Sequence, residues 1–153
     1  MTLPSGTVTF LFTDIEGSTK LAQQYPDEWE ALRARHHEIL QSAMDAHNGY
    51  VSQIIADAPI KVRMGIHTGK AEIQDDREYH GYLAMSRVQR LMSAAYGGQV
   101  LISLATEKLI RDELPKDVTL RDMGQHHLKD FVQTERIYQL DVPSAQIPPR
   151  YAE

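Results

Sequence analysis

Val8-Thr9-Phe10-Leu11-Phe12-Thr13-Asp14-Ile15-Glu16-Gly17-Ser18-Thr19 is the stretch on which the reading of the fold turns. Its first six residues are β-branched, aromatic or leucine, which predicts a strand buried on both faces. Asp14 ends the apolar run. Gly17, Ser18 and Thr19 then make a turn whose hydroxyls can cap a helix. Read locally, Asp14 ends the strand and can cap the helix.

Downstream, Pro26-Asp27 opens a long helical stretch with Trp29, Leu32, Ile39, Leu40 and Ala43 at helical spacing and His36 on the same face. Asn48-Gly49 closes it. Tyr50 to Ile55 reads as a strand, broken by Ala56-Asp57-Ala58-Pro59. Ile60 to His67 alternates apolar and polar residues as a half-buried strand does, and Thr68-Gly69 reads as a turn. Lys70 to Tyr79 reads as a short strand and loop. Tyr82 to Tyr96 reads as a helix burying Leu83, Val88, Leu91, Met92 and Ala95, stopped by Gly97-Gly98. Gln99 to Ile102 predicts a strand, and Ser103 caps a helix through Arg111. Val118–Arg121 and Arg136–Leu140 predict strands around a loop or hairpin at Gly124. Strands paired in the middle and at the end, between helices, imply an α+β domain with a mostly antiparallel sheet. The domain is expected to span 1–141, with an extended Pro-containing tail at 142–153.

The 153 residues suffice for one core. A net charge of −5 with no basic run argues against nucleic-acid binding. No apolar stretch approaches the ~18 residues of a membrane span, so no membrane contact and a cytoplasmic location are expected. The absence of cysteine excludes thiolate metal sites and thiol nucleophiles. No serine-hydrolase elbow, Walker loop, GxGxxG or HExxH is present.

Five blocks in order resemble one family. The Val8–Thr19 stretch is similar to the first strand and metal loop of the class III adenylate/guanylate cyclase catalytic domain. Val62-Arg63-Met64-Gly65-Ile66-His67-Thr68-Gly69 resembles its central R-x-G-hydrophobic-H-x-G strand. Gly81 to Leu91 resembles its catalytic helix, and Gly97 to Ser103 the strand that follows. Leu120 to Gly124 with His127-Leu128-Lys129 resembles its G-x-x-x-L-K segment. The resemblance covers roughly residues 6–141. It implies a ferredoxin-like α+β sheet with helices on one face. It also implies conversion of a nucleoside triphosphate, ATP rather than GTP, to a 3′,5′-cyclic nucleotide and pyrophosphate. Such domains work as head-to-tail homodimers, each site built from both chains.

The resemblance assigns roles residue by residue. Asp14, the Ile15 carbonyl and Asp57 would hold Mg²⁺ or Mn²⁺, hard ions that take oxygen ligands and brace the phosphates. Asp57 can equally belong to the loop entering the Ile60 strand. Gly17, Ser18 and Thr19 would offer N–H groups to phosphate. Gln53 and Glu78 fall at the base-reading positions, Arg90 and Ser86 at the catalytic ones, and Lys129 at the triphosphate-holding lysine. Ser86 stands where the family has Asn, and Asp130 where it has Gly. After Ile55 a strand–helix segment of about 40 residues is missing relative to the family. The alternative is a catalytically silent cyclase-like module that binds nucleotide or a partner chain.

Overall fold

The computed structural model describes residues 5–47, 62–73, 79–80 and 82–142. The elements in order are β1 (Gly6–Ile15), α1 (Ser18–Gln24), α2 (Pro26–Ala46), β2 (Val62–Ile73), β3 (Tyr79–His80), α3 (Tyr82–Ala94), β4 (Val100–Ser103), α4 (Leu104–Ile110), β5 (Thr119–His126) and β6 (Glu135–Asp141). The strands join in the order β1-β2-β4-β6-β5, with β3 paired to β2 off that path. Only β2 and β4 run parallel. This is the expected α+β, mostly antiparallel sheet with helices on one face.

The seam of the molecule is the contact of α3 with β2. A Cβ on Gly65 would stand 2.6 Å from the backbone N of Met92 and the backbone O of Val88. One on Gly69 would stand 2.8 Å from the Ala84 Cβ. These two glycines are needed because helix backbone and small side chain press onto the strand there. That contact corrects the reading of Thr68-Gly69 as a turn: β2 continues to Ile73, and its pairing with β1 runs on to Gly6 opposite Ala71. It also corrects the buried position in the first turn of α3. Ala84 is buried, as the close approach requires, and Leu83 is exposed.

Two further expectations are overturned. The strand β1 is not buried on both faces, since only Ile15 is buried along it. Among the described residues β1 ends the sheet, with β2 as its one strand neighbour. Gly124 does not sit in a loop. It lies inside β5 at φ +87°, in a register shift next to Asp122, whose Oδ1 accepts a 2.9 Å hydrogen bond from the Gly124 N–H. In α2, Trp29 is buried but Ile39 is exposed. The predicted strand at Tyr50–Ile55 and the cap at Asn48-Gly49 lie outside the described residues.

The apolar core sits under β4 and β6, where Leu91, Ala95, Leu101, Leu128 and Ile137 pack together with Phe131 against them. Ser103 caps α4 as expected, accepting from the Thr106 N–H. No helix among the described residues is long and apolar enough to cross a membrane.

Candidate functional site

Asp14 stands one residue before the end of β1, directly opposite Arg63 of β2 in the antiparallel register. The guanidinium grips one carboxylate oxygen through two nitrogens: Arg63 Nε donates to Asp14 Oδ2 at 2.7 Å, and Nη2 donates to the same oxygen. Both side chains are about a third exposed. Sequence reasoning did not single out Arg63. The signal that finds it is the cross-strand register, which needs the pairing of two strands about 50 residues apart.

Beside this pair lies a cavity of about 180 Å³, with Asp14, Thr13, His36 and Gln89 as its polar lining and Phe12, Ile15 and Met92 as its apolar one. Burial, and then the charge of His37, lower the His36 imidazole pKa. The cavity is smaller than the ~300 Å³ at which small-molecule pockets begin, so it does not enclose a nucleotide.

Gly17 takes the left-handed conformation at φ +75° and leads into α1. Ser18 and Thr19 open that helix, but no side chain caps it. Ile15 is buried. Ser86 is half-buried on α3. Gln53, Asp57 and Glu78 lie outside the described residues.

A second cluster forms where α3 meets the turn between β5 and β6. Arg90 pairs with Asp130 through Nη2. One helical turn back, Arg87 lies 2.8 Å from Glu135 and has its guanidinium carbon 5.2 Å from the centroid of the Phe131 ring. Lys129 is exposed beside them. Leu128 is buried in the core, and the Phe131 N–H closes the turn on the Leu128 carbonyl at 3.1 Å. Asp130 has φ +68°, a conformation that Gly adopts freely and Asp tolerates.

The two clusters are closed on different partners: the acid at the end of β1 is tied to Arg63, and the arginine of α3 to Asp130. Behind them His67 is buried, with Nδ1 sharing a 2.7 Å hydrogen bond with Ser103 Oγ. Burial first, then the Arg87 charge, lower its pKa to about 4. It is a neutral structural imidazole with no access to a ligand.

Among the described residues no group of three or more His, Cys, Asp or Glu could hold an ion. Asp14 already answers the charge of Arg63.

No protein-family model matches the chain. An uncharacterized protein of Mycobacterium tuberculosis is 32% identical over 92% of this chain, and the chain spans 58% of that relative. The alignment runs over 166 positions, more than the 153 residues of this chain, so the relative has residues that this chain lacks. A receptor-type adenylate cyclase of Trypanosoma brucei brucei is 23% identical over 90% of this chain and 17% of its own length. Among solved structures, an adenylate cyclase from Trypanosoma brucei in its monomeric state superposes with TM-score 0.77 at 21% identity, over 94% of this chain and 92% of that one. The adenylyl cyclase CyaB from P. aeruginosa gives 0.72 at 22% identity, over 92% of this chain and 96% of that one.

Proposed function

We propose that this chain, which has the fold of the class III adenylyl/guanylyl cyclase catalytic domains, binds a nucleoside triphosphate and converts it to a 3′,5′-cyclic nucleotide and pyrophosphate. The observation that carries this reading is the placement of Asp14 at the end of β1 together with Arg90 and Lys129 at the junction of α3 with the β5–β6 turn. In the reaction the ribose 3′-oxygen forms a bond to the α-phosphorus, its proton passes to solvent water, and the bond from the α-phosphorus to the departing pyrophosphate breaks. A guanidinium and an ammonium suit the charge that gathers on the phosphates as that bond breaks. Arg90 and Lys129 supply them, and Ser86, one turn before Arg90, is within a short reach of the same helix face. Gly17, Ser18 and Thr19 offer backbone donors at the other end of the ligand.

The site is shared between two copies of the chain. The 180 Å³ cavity beside Asp14 is too small for the nucleotide, and the acid and cation clusters close separately. In a head-to-tail homodimer each site takes Asp14 from one chain and Arg90 and Lys129 from the other. ATP is the preferred substrate, with Gln53 and Glu78 reading the base through their amide and carboxylate. Mg²⁺ or Mn²⁺ would be held by Asp14, the Ile15 carbonyl and Asp57, and would supply positive charge to brace the phosphates.

The Arg63–Asp14 pair favours a second reading. With its acid already occupied, the domain binds nucleotide and does not turn it over. The test is cyclic-nucleotide formation from ATP and from GTP with Mg²⁺ and Mn²⁺, alongside Asp14→Ala. Product that disappears in the variant supports turnover. Nucleotide binding by the folded protein with no product supports the second reading.

A further inference from the structure

Two ion pairs, Arg87–Glu135 and Arg90–Asp130, form where α3 meets the β5–β6 turn, and Lys129 is exposed on that turn. The two ion pairs differ. The Glu135 side chain is 18% exposed, and its partner Arg87 lies over Phe131, so this pair fastens the turn to the helix. The Asp130 side chain is 57% exposed and its partner Arg90 31%. Leu128 in the core and Phe131 beneath Arg87 hold the backbone on either side of Asp130, and its φ of +68° is part of that turn. The carboxylate is thus held over Arg90 on the solvent side, where an incoming anion arrives.

We propose that Asp130 is an internal competitor for the phosphate that Arg90 binds, setting a threshold on occupation of the site by polyphosphate. The inference rests on the functional reading above and adds a regulatory contact to it. An exposed pair of this kind is weak, so the competition raises the dissociation constant of a triphosphate by a factor of about two to five and does not block the site. A ligand carrying several negative charges displaces one carboxylate readily; a singly charged one gains nothing by the exchange.

Binding of inorganic tripolyphosphate to the full chain, followed by titration calorimetry, tests this. Asp130→Asn removes the charge and keeps a residue that tolerates positive φ. Asp130→Gly removes it with full backbone freedom and serves where the first variant folds poorly. Each is expected to tighten binding about two- to fivefold. The gain should vanish in the Arg90→Ala background, as a double-mutant cycle requires of a coupled pair. Asp117→Asn changes net charge equally, at an exposed residue with φ +71° in another turn, and should leave affinity unchanged. An equal gain from Asp117→Asn, or a gain that survives Arg90→Ala, overturns the inference in favour of net charge. Arg90→Ala weakening binding while both Asp130 variants leave it unchanged overturns the inference and leaves the functional reading standing. Tripolyphosphate that binds none of these proteins overturns both.

Discussion

The β1 edge of the sheet and its β4–β6 interior are built differently. At β4 and β6, Leu101 and Ile137 lie over Leu91, Ala95 and Leu128, and the turn that carries Lys129 and Asp130 is pinned by Leu128 and Phe131. At the β1 edge only Ile15 is buried along the strand, and among the described residues β1 has one strand neighbour. The cations proposed to face phosphate belong to the packed region, and the acid Asp14 belongs to the thin edge. On the proposed reading, phosphate binding and turnover draw on separate structural supports.

The seam that joins the two regions gives the largest expected effect. Gly65→Val puts side-chain atoms where helix backbone already stands, with even a Cβ 2.6 Å from Met92 N and Val88 O. Loss of cooperative unfolding is expected, by thermal denaturation followed by circular dichroism. A variant that unfolds like the parent would show that α3 does not bear on β2 as described. Leu128→Ala acts at the packed region alone. It should cost about 2–5 kcal/mol in denaturant unfolding and weaken tripolyphosphate binding, because the turn carrying Lys129 loses its anchor. Stability lost with binding intact would separate the turn from the ligand.

The pH dependence is a smaller effect. His67 has a folded pKa of about 4, below the usual 6.5. Between these values the unfolded chain binds a proton that the folded one refuses. Stability should thus be constant above about pH 6.5, fall as the pH drops toward 4, and level off below it, by at most about 3 kcal/mol from this group. His67→Gln should flatten that fall; an unchanged profile would assign it to other groups. The smallest effect concerns the Arg87–Phe131 contact. Arg87→Met should cost about 1 kcal/mol through loss of the cation–π contact and ion pair, read by chemical denaturation. No loss would leave Leu128 as the sole anchor of the turn.

Much of this was legible in the chain. Strands at Val8–Thr13 and Gln99–Ile102, the helix opened by Pro26 and the Ser103 cap follow from local chemistry: β-branched runs, proline at a helix start, a hydroxyl before a helix. Gly69 and Gly124 were misread because glycine marks a turn locally, whereas here one admits Ala84 and the other makes a bulge. Periodicity puts Leu83 in the core because it shows a face without showing what packs on it; the close approach at Gly69 selects Ala84. Of the proposed site, Asp14, Arg90 and Lys129 are named by the motif resemblance. Their partners Arg63 and Asp130 required pairing across 49 and 40 residues, which no local pattern carries.

The central claim is that two copies of the chain assemble one site from an acid of one and the cations of the other. Mixing an Asp14→Ala protein with an Arg90→Ala protein tests it. Each alone should be without cyclase activity. After random exchange of subunits, half the dimers hold one site free of both substitutions, so about a quarter of the parent activity should return. A mixture that stays inactive, while the parent is active and both variants fold, would contradict the shared site.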